Sequence, residues 1–217
     1  PHLAIVPLPF VGETHSDGHL LGLGLVFPRS VSARERAKGF AKLLTDAQSG
    51  QDKPVVLRLG NLGTVTLQLE TRPAPPRALR SGTWTLASHY WTTVTPLVLD
   101  RYPKSDPARD RAGWLEEVAA IVATSCTRIG LPEPIDIAIH YNPWLGGVPR
   151  TKSPGNSFPP FHSGGSNPSP RPMVHALLGF ETPICGPILL GTGRFQGYGF
   201  CKPVDVNRLR KRENEFV

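Results

Sequence analysis

Apolar residues fall in short runs broken by glycine and proline, and few of the runs have helical spacing. HLAIVPLPFV (2–11) ends at prolines and predicts a buried strand. GETHSDGH (12–19) is a polar loop with two glycines and two histidines. LLGLGLVF (20–27) predicts a second strand, its glycines marking a bulge or a close backbone approach. SVSARERAKGFAKLLTDAQ (30–48) predicts the first helix. Ser30 or Ser32 can cap it, and Glu35 follows Ser32 at capping-box spacing. Val31, Phe40, Leu43 and Leu44 would form its apolar stripe. VVLRLG (55–60) and TVTLQLE (64–70) alternate around Asn61-Leu62-Gly63 and predict a hairpin.

A proline-rich break, TRPAPPRALRSG (71–82), separates this half from the next. HYWTTVTPLVLD (89–100) is rich in β-branched and aromatic residues and predicts a strand. Residues 106–130 predict the strongest helix, capped by Asp106, with Pro107 in its first turn and Gly130 at its end. Trp114, Leu115, Val118, Ile121 and Val122 share its apolar face. IDIAIHY (135–141) and MVHALLGF (173–180) predict strands. Residues 142–172, between them, predict a mobile loop or lid. PICGPILLGTGRFQGYGFCKPV (183–204) adds further strands, and a basic tail closes the chain. Each half therefore reads strand, helix, strand, strand. The expected fold class is α+β, with two ferredoxin-like (RRM-like) βαββ-type subdomains in tandem and a C-terminal glycine-rich loop. The expected division is 1–82, 83–205 and a basic tail over 206–217.

Composition sharpens the picture. The chain has 217 residues, 19% charged and 39% hydrophobic, enough for a real core without disulfides or a structural metal. Its 22 glycines and 24 prolines argue against a helical bundle. The net charge of +7 favours an anionic partner such as nucleic acid or an acidic membrane. Cys126, Cys185 and Cys201 are too few and too widely spaced for a disulfide framework or a cysteine zinc site, so a cytoplasmic setting is expected. No apolar run reaches membrane-spanning length, and no basic-then-apolar leader is present. The Pro-His start suggests a piece of a longer protein.

Two segments could carry chemistry. GTGRFQGYGF (191–200) places Gly191, Gly193, Gly197 and Gly199 around Arg194, and glycine lets backbone amides approach a phosphate. It lacks the Gly-Lys-Ser/Thr of a phosphate loop and the spacing of a dinucleotide fingerprint. From spacing alone it reads first as a glycine-rich turn between strands. Phe195 and Tyr198 beside Arg194 suit base stacking next to backbone neutralisation, or ordinary strand packing. In THSDGH, His15 and His19 flank Asp17. This loop could hold a general base, a histidine bonded to loop backbone, or a metal, although no third ligand is evident. His140 reads as a solvated strand residue, His175 as a satisfied core residue and Cys126 as packing. The basic side chains on 34–42 and 208–212 are an ordinary solvated face and tail, or phosphate contacts.

The run GPILLGTGRFQGYGF resembles the glycine-rich loop near the C-terminus of the RAMP superfamily of CRISPR-associated proteins. HLAIVPLPFVGETHSDGHLLGLGLVFPR and WTTVTPLVLDRYPK resemble the C-terminal half of the fused subunit of type I-U (I-G) CRISPR systems. That half is the repeat-processing endoribonuclease module, joined in the subunit to a module that binds the crRNA 5′ handle. The resemblance runs from about residue 2 to 204. It implies metal- and cofactor-free cleavage of repeat RNA by the 2′-OH next to the scissile phosphate, giving a 2′,3′-cyclic phosphate and a 5′-OH. It implies retention of the product hairpin in a type I effector complex with other subunits, and no membrane partner. A histidine after the first strand commonly serves as general base in this class; His15 matches that position, with His19 as the alternative. Tyr198, Lys38 or the second histidine could be the acid. The expected RNA contacts are Arg34, Arg36, Lys38, Gly191, Gly193, Arg194, Gly197, Tyr198, Gly199 and Lys202. A non-catalytic hairpin-binding subunit is the alternative within the family, and a general RNA-associated α+β protein the alternative outside it.

Overall fold

A computed structural model describes residues 2–151, 158–162, 169–207 and 209. The elements in chain order are β1 (Ala4–Pro9), β2 (Leu20–Val26), α1 (Ala33–Leu44), β3 (Val55–Arg58), β4 (Thr64–Leu67), a 3-10 turn (Arg77–Leu79) and the short α2 (Gly82–Thr85). They continue with β5 (Ser88–Thr93), β6 (Leu97–Val98), α3 (Arg111–Arg128), β7 (Asp136–His140), β8 (Met173–Ile184), a 3-10 turn (Arg194–Gln196) and β9 (Cys201–Val204). This is a mixed α and β fold with antiparallel sheets, as the patterning predicts.

The main sheet is built around β8, which pairs antiparallel with β5, β6 and β7; β9 pairs antiparallel with β5. β5 and β7 therefore run parallel to each other with β8 between them, and α3 makes the crossover from β5 to β7. This is a split β-α-β unit. α3 buries Trp114, Val118, Ile121, Val122 and Cys126 with Trp91, Leu97, Leu178 and Leu190. The apolar face expected of this helix is the one observed, with Leu115 partly buried.

The first half is assembled differently from the expected single βαββ unit. Among the described residues β1 pairs only with β2, and β3 only with β4, so two separate ribbons replace one sheet. The β1–β2 ribbon is held from the other side of the proline-rich break. Ala4, Val6 and Val11 share a buried cluster with Trp84, Val94, Leu145, Val148 and Phe200. Trp84 stacks on Phe200 at 4.8 Å and donates its indole N–H to Ala78 O at 2.7 Å. Gly22 of β2 shows the close approach expected there: an added Cβ would lie 2.8 Å from Leu79.

Four local differences separate the structure from the patterning. α1 has its capping box at Ser32–Glu35, but buries none of its residues; Phe40 meets only Phe27, edge-on at 5.4 Å, among the rings described. Segment 89–100 is two strands rather than one. Before Pro96, the amides of Val94 and Thr95 both turn to Phe200 O. α3 starts at Arg111 rather than near Asp106. Asp110 is the cap, accepting from the Gly113 amide, while Asp106 closes a local turn by accepting from the Ala108 amide. Of the expected loop 142–172, residues 142–151 are packed: Leu145 and Val148 are buried and Thr151 bonds Tyr141 O through both its amide and its hydroxyl. Residues 152–157 and 163–168 of that loop lie outside the described residues, as do 208 and 210–217 of the basic tail.

Candidate nucleic-acid interface

The histidine loop follows β1, and its shape comes from backbone bonds at both ends. Phe10 and His19 close it (Phe10 N to His19 O, 2.9 Å), and the Gly18 amide returns to Phe10 O at 3.0 Å. Its middle docks on residues 145–148: Gly12 N and Ser16 Oγ both donate to Gly146 O. Gly18, at φ 80°, lies so close to the neighbouring chain that an added Cβ would sit 1.9 Å from Gly147 O.

Within this loop Ser16 N donates to Glu13 O at 3.3 Å, and His15 is the third residue of that turn. Its φ is 61°, the only positive value outside glycine among the described residues. An L side chain in this region is held by its surroundings, at a cost of order 1–3 kcal/mol. The His15 ring is exposed and makes no hydrogen bond among the described residues. His19 differs: its Nδ1 lies 2.5 Å from Asp17 Oδ1, and its amide donates to the same oxygen at 3.1 Å. Those bonds, the amide's first, hold the Asp17 carboxyl below its ordinary range. An ionised carboxylate only accepts, so His19 Nδ1 carries the proton and, in the neutral ring, Nε2 carries the lone pair. A carboxylate that fixes the tautomer of an exposed imidazole is an arrangement suited to proton transfer. Both histidines are solvent-facing, and neither lines the cleft beside Phe195 and Tyr198 or the cavity beside Arg77 and Lys202.

The glycine-rich run spends much of its backbone on its own fold. The amides of Gly191, Thr192, Gln196, Tyr198 and Gly199 are bonded to Ser125 Oγ, Val98 O, Gly193 O, Gly193 O and Pro96 O. Gly191 and Gly199 have φ 79° and 63°, and added Cβ atoms would lie 2.2 Å from Val98 O and 2.0 Å from Leu190 O. Gly193 and Gly197 are also buried, against Tyr198 and Ile5. These glycines are required by packing. The exposed chemistry of the run lies in its side chains. Arg194 sits over the Phe195 ring at 4.5 Å and donates to Gly191 O. Tyr198 donates its hydroxyl to Pro159 O at 2.9 Å, and burial pushes that phenol's pKa up. Phe195, Tyr198, Phe158, Ile5 and Leu23 line a cleft of about 510 Å³ between the run and β1.

Lys202 on β9 joins the two regions. Its ammonium donates to Val11 O at 2.7 Å, lies 3.8 Å from Glu13 and stands 5.8 Å from the Trp84 ring centre. Burial is the largest influence on it and lowers its pKa. Glu13 is also paired with Arg77 at 3.2 Å. Arg77 and Arg80 are not evident as site residues from sequence, because RALR sits in a proline-rich stretch with the character of a linker. The three-residue spacing of its arginines on a short helical turn was the available signal. The expected contacts Arg34, Arg36 and Lys38 are exposed on α1, where Arg36 lies over Phe27 at 5.7 Å. They do not bond to the histidine loop or the glycine run among the described residues. The acid candidates Tyr198 and Lys38 likewise make no hydrogen bond to the histidine loop there.

Two further titratable groups, His175 and Cys126, are structural. His175 is buried between Thr93 Oγ1 (2.9 Å) and Pro149 O (3.0 Å). The carbonyl requires Nε2–H, so Nδ1 accepts from the Thr93 hydroxyl, which itself accepts from the Ala176 amide. Burial pulls the His175 pKa down to about 4. Cys126 is buried and pushed up to about 12, so it is an inert packing thiol. His140 is exposed, as expected, and accepts the Asn142 amide. Among the described residues no group of three or more His, Cys, Asp or Glu side chains could hold a metal, and no helix is long and apolar enough to cross a membrane.

Comparison with known proteins adds one finding. Residues 1–203 match the profile of the family described as CRISPR-associated protein, GSU0054 family. No curated protein and no solved structure matches the chain.

Proposed function

The chain belongs to the GSU0054 family of CRISPR-associated proteins, and from that premise we propose that it is a metal-independent endoribonuclease that cuts CRISPR repeat RNA and keeps the product hairpin. The observation that carries this reading is the loop 12–19. It presents a carboxylate-oriented imidazole, His19 on Asp17, and a second imidazole, His15, in a strained turn. In such a reaction the nucleophile comes with the substrate. A base removes the 2′-OH proton, the 2′-oxygen bonds to phosphorus in line, and the P–O5′ bond breaks. An acid returns a proton to the leaving 5′-oxygen. The protein contributes alignment, two proton transfers and charge stabilisation. His15 and His19 take the proton-transfer roles, either one being the base. Arg194 and Lys202 neutralise the RNA backbone, and Phe195 and Tyr198 offer faces to unpaired bases.

The fold supports the same reading. The order β9-β5-β8-β7, with α3 crossing from β5 to β7, is compatible with a ferredoxin-like unit in which the connection 185–200 would stand in place of a second helix. The divisions 1–82, 83–205 and 206–217 belong to this proposal, the first part holding the two ribbons and α1. The other subunits of a type I effector complex are the proposed protein partners. They would cover the apolar side chains left exposed on α1 and the β3–β4 ribbon, among them Leu43, Val56 and Val65.

One observation favours a second reading, a hairpin-binding subunit that does not cut. Neither histidine lines the cleft beside Phe195 and Tyr198 or the cavity beside Glu13 and Lys202, whereas reacting groups usually sit in clefts. Single replacements decide between the readings. For a cutting enzyme, His15→Ala and His19→Ala each lower cleavage of repeat RNA by about 10²-fold or more while hairpin affinity stays within about twofold. Unchanged cleavage in both variants removes these residues from the chemistry. Absence of cleavage in the wild type, with tight hairpin binding, favours the binding subunit.

A further inference from the structure

Beside the histidine loop is a second cavity of about 390 Å³, lined by Glu13, Arg77, Arg80, Thr83 and Lys202 with Pro203 and the α2 start. Three cations face one carboxylate there. Lys202 is mostly enclosed, with 13% of its side chain exposed, and burial works against its charge. A partly desolvated ammonium beside Arg77, with Arg80 lining the same cavity, leaves more positive charge than one carboxylate offsets, and a further oxyanion relieves it. The structure already holds one: both Glu13 oxygens are engaged, Oε2 by Arg77 at 3.2 Å and Oε1 near Lys202 at 3.8 Å. The carboxylate thus occupies the position of an anionic ligand and leaves Arg80 over. The Arg80 guanidinium is fixed at its Nε by Pro75 O at 2.8 Å, and among the described residues it has no acidic partner.

We propose that Arg77, Arg80 and Lys202 form a binding site for one phosphodiester of the RNA backbone, with the Glu13 carboxylate as its resting occupant. The site rests on the RNA-binding reading above and adds to it a specific position for one phosphate. Guanidinium groups suit it because their planar N–H pairs match two phosphate oxygens. The same geometry ties the site to the histidines. Glu13 O accepts the Ser16 amide that closes the His15 turn, and Val11 O accepts from Lys202. A phosphate held here fixes the RNA strand against the loop that carries His15 and His19. Glu13 competes with that phosphate for two of the three cations, which lowers affinity for any single free anion.

The test uses the whole chain and needs no cleavage. Inorganic phosphate is titrated into the protein while backbone amide NMR signals of Gly82, Thr83 and Lys202 are followed. Saturating shifts are expected at these three. They should be lost in Arg80→Ala and should reach half-saturation at a phosphate concentration about fivefold lower in Glu13→Gln, which keeps the shape and removes the competing charge. In parallel, repeat RNA blocked against cleavage by a 2′-deoxy scissile nucleotide is bound across a salt series. Arg80→Ala and Arg77→Ala should each weaken it about tenfold and reduce the salt slope by about one. Thermal melts confirm folding, and Arg77→Ala keeps the RNA arm decisive should Arg80→Ala loosen the Pro75 turn. Absent shifts, or a Glu13→Gln variant that binds phosphate more weakly, overturn the site and make Glu13 a purely structural ion-pair partner. Phosphate shifts without any effect of the arginine variants on RNA overturn the backbone assignment and leave a site for a free anion. A wild type that binds phosphate but does not cut repeat RNA counts against the cleavage reading alone.

Discussion

The two histidines of the 12–19 loop differ in what holds them, and that difference is testable residue by residue. His15 pays backbone strain for its place, φ 61° in a turn position that asparagine or glycine takes more readily. Replacing His15 with Asn removes the imidazole and suits the backbone. The account predicts an unchanged or slightly higher Tm together with a cleavage loss of about 10²-fold or more. A structural histidine would give the opposite, with a lower Tm and intact cleavage. His19 depends on Asp17, so Asp17→Asn should leave RNA affinity intact and slow cleavage, because an amide can donate as well as accept and lacks the charge that keeps the proton on Nδ1; a retained rate and pH profile would remove Asp17 from any positioning role. His175 makes a prediction of a different kind. It is buried, bonded to Thr93 and Pro149, and pulled down to about 4, with exposed His140 opposite it on β7. An unfolded histidine titrates near 6.5. Between pH 6.5 and 4 the unfolded chain therefore binds a proton that the native chain refuses, and stability rises with pH in that window. The contribution is fully present above about pH 6.5 and is lost progressively toward pH 4, a change on the order of 3 kcal/mol. Chemical denaturation at pH 7.5 and 4.5 should reveal this loss, and His175→Gln should reduce it. An equal pH dependence in that variant would place the acid sensitivity elsewhere.

At the scale of elements, the glycine-rich run separates into a backbone that the fold needs and side chains that it does not. Gly199 sits at φ 63° with Leu190 O where a Cβ would go, so Gly199→Ala must displace backbone. It is expected to lower Tm by at least about 5 °C. Arg194→Ala should change Tm by no more than about 2 °C, because its partners are an exposed ring and a local carbonyl, and should weaken RNA binding. Melting curves and binding isotherms on the same two proteins check both statements; a Gly199→Ala protein of unchanged Tm would contradict the packing role. Legibility from sequence also divides by element. β7 could be read from its alternation, β8 from its continuous apolar run and the buried face of α3 from its helical spacing, because each pattern reports burial directly. The capping box of α1 was equally readable, but its burial was not, since a stripe of Phe40, Leu43 and Leu44 says nothing about whether a partner surface exists. The start of α3 was ambiguous because Asp106 and Asp110 both carry N-cap chemistry, and only the amide each one accepts tells them apart. The break between β5 and β6 followed from Pro96, a signal present in the sequence and outweighed there by the β-branched run around it.

For the whole molecule, the net charge of +7 pointed to an anionic partner, but charge alone could not place the cations. The arginines of α1, prominent in the sequence, stand apart from the histidine loop. Lys202, some 190 positions along the chain from that loop, lies against it, and Arg77 reaches it from the proline-rich break. These long-range placements arise because the β1–β2 ribbon packs into a cluster that includes Trp84, Leu145 and Phe200. Local patterning does not encode a meeting of that kind. The candidate chemistry was therefore legible as residue types, and its assembly into one surface was not.

The central claim is that this chain cuts RNA through the substrate's own 2′-hydroxyl. The most direct measurement is a single-turnover cleavage assay on the cognate repeat RNA in excess EDTA, run beside the same RNA carrying one 2′-deoxy substitution at the scissile nucleotide. The account predicts cleavage of the all-ribose RNA to a 2′,3′-cyclic phosphate and a 5′-OH, and no cleavage of the substituted RNA. Equal cutting of both RNAs, or cutting of the ribose RNA that EDTA abolishes, would contradict it.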